Sequence, residues 1–166
     1  MAQYNEVYGM RRDYFELDVR DVDWYGEDEP PLQPTVSIDF YGPAEELRER
    51  FVGPDGELLA AEELDATLRL QGSVDDPETT GVVSVTNRVT GDYVMELNAP
   101  AEDVLQFIGA AREYGRTSDH DDGRYRVDVA IEGDHFATFE KSTFLVYDVD
   151  GNLLRGQSLI PSGVEL

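Results

Sequence analysis

The chain contains no cysteine and a single lysine, Lys141, among its 166 residues. Without thiols there are no disulfides, no thiolate metal sites and no cysteine nucleophile, and the redox compartment leaves no mark on the sequence. Nothing approaches the roughly 18 consecutive apolar residues of a membrane-spanning helix. Arg11-Arg12 has the look of a twin-arginine export signal. Asp13-Tyr14-Phe15-Glu16-Leu17-Asp18 follows it instead of an apolar stretch, which argues against export. Basic residues are scarce: 13 Lys+Arg stand against 36 Asp+Glu, giving a formal net charge of -23 and a pI near 4.1. A field of that sign repels phosphate backbones and anionic headgroups, so neither nucleic acid nor a membrane surface is expected as a partner.

What is present is enough to fold. Leu, Ile, Val and Phe number 43 of 166 residues, above the roughly 20% below which a charged chain stays disordered. The carboxylates are spread from Glu6 to Glu165, and the cations are almost all arginine. At molar salt the Debye length is about 3 Å, so surface carboxylates repel one another little and instead hold water and cations. A lysine stem exposes methylenes that strong salt drives toward association. This pattern predicts a salt-adapted cytoplasmic protein needing high K+ or Na+ as solvent; the alternative is an acidic protein of ordinary salt. No cofactor is predicted.

The apolar pattern alternates through most of the chain, as half-buried strands do. Phe15, Leu17 and Val19 form one such set, continued out of phase by Val22 and Trp24 as a bulge near Arg20-Asp21 would produce. Further sets are Val36 to Phe40, Leu64 to Leu70, Val83 and Val85, Tyr93 to Leu97, Tyr125 to Ile131, Phe136 to Phe139 and Phe144 to Val149, with a last segment from Asn152 to Ile160. Ala44 to Phe51 reads as a short helix. Residues 100–114 read as a full one, with Val104, Phe107, Ile108 and Ala111 on one face and Gly115 at its end. Two echoes, Asp55-Gly56-Glu57-Leu58-Leu59 with Asp150-Gly151-Asn152-Leu153-Leu154 and Gly91 to Leu97 with Gly123 to Val129, are recurring turn chemistry rather than repeats. The expectation is a flexible arm over 1–10, with Met10 a candidate internal start, and one β-rich domain over 11–166. The fold expected is mainly β, an antiparallel immunoglobulin-like β-sandwich with one inserted α-helix at 100–114. Gly-x-Tyr-x-Val around Tyr125 resembles the strand that bears a tyrosine corner. The alternative is α+β, with the helix packed on an antiparallel sheet.

No phosphate loop, dinucleotide fingerprint, nucleophile elbow or metalloprotease motif occurs. Imidazole and carboxylate suit several transition metals, which makes Asp119, His120, Asp121 and His135 candidate ligands, while Asp119, Asp121 and Asp122, and separately Asp148 and Asp150, are fragments of a calcium loop lacking its bidentate Glu. In so acidic a chain such turns arise by default. Arg112, Arg116, Arg124 and Arg126 are a candidate anion cradle, interleaved with acids that can pair with them. The weakly charged C-terminus reads as a strand or tail packed on the sheet, or as an edge offered to another chain through Leu159, Ile160, Val164 and Leu166.

The phrases Met10 to Phe15, Gly81 to Arg88, Phe144 to Asp148 and Ser158 to Leu166 resemble an uncharacterised family of haloarchaeal proteins. The resemblance implies salt adaptation and carries over no activity or site residue. The functional expectation is a salt-adapted binding or assembly module that meets a protein partner, or a second copy, through a sheet edge or the C-terminal segment. The alternative is a metal-dependent enzyme using His120, His135 and nearby carboxylates.

Overall fold

Alternating apolar residues give this chain two four-stranded sheets, each burying one face. The computed structural model describes residues 6–7, 10–22, 24, 32–118 and 124–160. Short strands β1 (Glu6–Val7) and β2 (Met10–Arg11) pair antiparallel within the stretch expected as an arm, whose remaining residues lie outside the described ones. The first large sheet has the order β3 (Phe15–Arg20), β4 (Thr35–Phe40), β8 (Tyr125–Ile131), β9 (Asp134–Lys141). The second has the order β10 (Leu145–Tyr147), β5 (Leu64–Leu70), β6 (Thr80–Asn87), β7 (Tyr93–Pro100).

Both sheets are mixed, which corrects the antiparallel expectation. β4 and β8 run parallel, as do β10 and β5; the other neighbours are antiparallel. The chain leaves the first sheet after β4, builds β5 to β7, and returns through a helix, so β8 enters beside β4 in the same direction. After β9 it crosses again and lays β10 along β5.

The described residues hold two α-helices: α1 (Ala44–Arg50), within the short helix expected over Ala44 to Phe51 and additional to the one inserted helix of the sandwich expectation, and α2 (Ala101–Ser118). α1 buries Leu47 and hands over to buried Phe51, with Glu45 and Glu46 in its first turn and Arg48 and Arg50 in its last, the order that suits the helix dipole. α2 passes through Gly115, which was expected to stop it. Gly115 is a packing glycine: a Cβ there would overlap the stem of buried Arg124. Asp21 takes the left-handed conformation (φ 61°) where a bulge was expected, and the strand ends at Arg20. Val22 and Trp24 are buried beyond it, with Trp24 Nε1 donating to the Asp21 carbonyl at 2.6 Å.

The core lies between the sheets, with Val104, Phe107, Ile108 and Ala111 of α2 fully buried in it. Only about 20 Å³ of space remains there, walled by apolar side chains such as Ile38, Val83, Phe107 and Val127, and so dry. Tyr125 is fully buried against Phe107 and Phe144, and burial pushes its phenol far above the ordinary range. Its hydroxyl donates to the Thr143 carbonyl at 2.8 Å, eighteen residues downstream; a tyrosine corner bonds a few residues upstream.

The Asp-Gly echo is one turn used twice. Gly53 and Asp148 each donate to the carbonyl four residues on (2.8 and 2.9 Å), and Gly56 and Gly151 each donate back (3.0 Å) from the left-handed region. Bridges Val52–Leu58 and Tyr147–Leu153 close the two hairpins. The second hairpin carries residues 152–160 along the outer edge of β10, where Phe144 pairs with Leu159 and the Ser158 hydroxyl accepts from Val146 N–H.

Candidate binding face

Among the described residues the sequence-derived candidates do not converge. Asp119, His120 and Asp121 lie outside the described residues, as do Val164 and Leu166. Among the described residues no group of three or more His, Asp or Glu could hold a metal. Asp148 Oδ1 accepts the backbone N–H groups of Asp150 and Asn152 at 2.9 Å each, so it closes a turn, and Asp150 is exposed at its tip. Leu159 is fully buried in this chain's own core, and Ile160 is half-buried.

The four arginines do not form a cradle. Arg112 donates to the carbonyls of Gly156 and Ser158, which ties the C-terminal segment to α2. Arg116 pairs with Glu113 within the helix, Arg124 is buried over Gly115, and Arg126 bonds Asp128.

His135 belongs to a hydrogen-bonded row on the outer face of the first sheet. Its Nε2 meets Thr138 Oγ1 at 2.7 Å, and Thr138 donates to Asp128 Oδ1 at 2.8 Å. With its proton turned to Asp128, Thr138 accepts from His135, so the imidazole cannot take the Thr138 proton as a nucleophile's base must. Partial burial pushes the Asp128 carboxyl up. Hydrogen bonds from Arg126 and Thr138, with the charges of Arg126 and Arg20, outweigh this and hold it below the usual carboxylate range. Arg20 also donates to Ser37 Oγ at 2.7 Å and to Asp128 Oδ2 at 3.3 Å, so the row ties β3, β4, β8 and β9 together.

Lys141 is 7% exposed, and its Nζ donates to the carbonyls of Leu64 at 2.6 Å and Ala61 at 2.9 Å. Burial, and then the Arg88 charge, lower its pKa against the opposing pull of Asp65 and Glu62. The sequence's only lysine pins β9 to the start of β5, so the surface cations are arginines.

One sheet surface is poor in carboxylates. The outer face of the second sheet forms a groove of about 430 Å³. Register places Leu145, Thr67, Ser84 and Glu96 in one row across it, and Tyr147, Arg69, Val82 and Asn98 in the next. Among the described residues its lining contains one carboxylate, Glu96, which Arg12 binds at 2.7 Å with both side chains largely buried. Arg69 is exposed and its guanidinium donates to the Val149 carbonyl at 3.3 Å. A second hollow of about 560 Å³, between α1 and the β6–β7 turn, carries two carboxylates, Glu49 and Asp92.

Sequence reasoning passed over this face, although a signal was present. The outward positions of β6, Thr80, Val82, Ser84 and Thr86, carry no charge in a chain that is 30% charged.

Fold and face together define a mainly β protein with two mixed sheets and a neutral-to-basic sheet surface. Over residues 10–166 the chain matches a family of unknown function (DUF5793), and it belongs to that family. No curated protein and no solved structure matches it.

Proposed function

We propose that the protein is a salt-adapted binding or assembly module of a cytoplasm rich in KCl, as in haloarchaea, and that it acts by meeting a protein partner. The observation that carries this is the groove on the second sheet: the chain has 36 acids, yet among the described residues the groove keeps one, already bound by Arg12. Carboxylates that hold water keep an acidic protein dispersed in salt. A face without them is one whose water a partner replaces. The burial of Lys141 supports the salt reading, since it leaves no lysine stem for strong salt to drive into association. β10 is already edged by residues 152–160, which leaves β3, β7 and β9 at sheet edges for strand pairing. Ile160, partly exposed, leads into the weakly charged C-terminal residues, a second route to the same partner.

The test is capture of the tagged protein from its host's lysate in molar KCl, with sedimentation of what is recovered. A stoichiometric partner chain is the expected result. A monomer that brings down nothing in stoichiometric amount would overturn the reading.

A further inference from the structure

We infer that the outer face of the second sheet docks an acidic segment of the partner, with Arg69 receiving its carboxylates. The inference rests on the binding-module reading above and adds the chemistry of what is bound. Arg12 and Glu96 neutralise each other, so Arg69 sets the sign of the groove. Among the described residues it touches the Val149 carbonyl and no carboxylate. Its planar fork is therefore open to a bidentate pair. The hydroxyl of Thr67, two residues away on β5, and that of Thr86 further along the groove offer donors without adding negative charge.

The opposite face of the molecule sets the contrast. On the first sheet Glu16, Asp18, Asp39, Asp128 and Glu140 stand against Arg20 and Arg126, a surface that repels the same ligand. Salt sharpens the choice. At about 1 M the Debye length is about 3 Å, so attraction at a distance vanishes and recognition falls to direct charge-assisted hydrogen bonds. The apolar surfaces of this face are Leu145, Val82 and the rings of Tyr93 and Tyr147, and its open charge is Arg69.

Fluorescein-labelled deca-glutamate and deca-glutamine peptides serve as probes, read by anisotropy against the full chain in 2 M KCl. Deca-glutamate should bind at least tenfold tighter than deca-glutamine. Arg69→Glu should weaken it at least tenfold, while Arg20→Glu, on the opposite sheet, leaves it unchanged, both variants being folded by circular dichroism. Equal binding of the two peptides, undiminished binding by Arg69→Glu, or an equal loss in Arg20→Glu would overturn the inference. So would a self-associating wild type that Arg69→Glu turns into a monomer, because a second copy would then cover the face. If Arg69→Glu still captures the stoichiometric partner, the docking face is wrong and the module reading stands.

Discussion

Glu16 and Asp39 face each other directly across β3 and β4, a like-charge pair on the exposed side of the first sheet. Cross-strand neighbours have Cβ atoms about 5 Å apart and repel when the charges are alike. At that distance two unit charges interact by about 0.8 kcal/mol in water, and by about 3 kcal/mol at the lower dielectric near a protein surface. Screening over 5 Å leaves about 60% of this at 0.1 M salt and about 20% at 1 M. Asp39→Asn should therefore stabilise the fold by about 1 kcal/mol in 0.1 M KCl and by about a third of that at 1 M. Urea midpoints along a KCl series measure the effect; where dilute buffer already unfolds the wild type, the KCl concentration at half-unfolding should fall instead. Adding Glu16→Gln to Asp39→Asn should contribute little more, since one neutralisation already removes the repulsion. Tyr41 reports the same pair: desolvation and then the Asp39 and Glu16 charges raise its phenol pKa, so Asp39→Asn should bring its ultraviolet titration back down. A stabilisation equal at all salt concentrations, or a loss of stability, would refute this account of why the chain tolerates its charge.

Other consequences follow from the interior. Lys141→Met leaves the Ala61 and Leu64 carbonyls without their donor and should cost about 1–3 kcal/mol in chemical denaturation. As pH rises toward the ordinary lysine value of 10.5, folded Lys141, whose pKa is lowered, loses its proton before unfolded Lys141 does. The unfolded chain then binds more protons, so the wild type gains stability over that range and Lys141→Met shows no such gain. Gly115→Ala, which in an open helix would gain about 1 kcal/mol, should instead lose about 1–2 kcal/mol as its Cβ meets Arg124. Leu159→Ala should cost about 2–5 kcal/mol in thermal or urea unfolding, as truncation of a fully buried leucine does.

Strands were the most legible part of the sequence, because period-two alternation reflects burial of one face and both sheets here are solvated on the other. Turn chemistry was equally legible, since Asp-Gly pairs need the left-handed glycine that Gly56 and Gly151 supply. Strand direction was not, because parallel neighbours such as β4 and β8 are decided by a crossover of more than eighty residues that no local pattern records. Gly115 misled because a glycine late in a helix reads as a terminator, while its reason is a tertiary contact with Arg124. The proposed binding face was hidden for a related cause. Residues that carry chemistry stand out in a sequence, whereas this face is distinguished by carboxylates missing from the outward positions of β6, and it takes shape only when Arg69 and the Arg12–Glu96 pair come beside them.

Far-UV circular dichroism during stepwise removal of KCl from 3 M is the most direct measurement of the central claim that the chain is built for concentrated salt. The account predicts a cooperative loss of β signal as the screening that tolerates a net charge of -23 is withdrawn. A spectrum unchanged down to dilute buffer would contradict it.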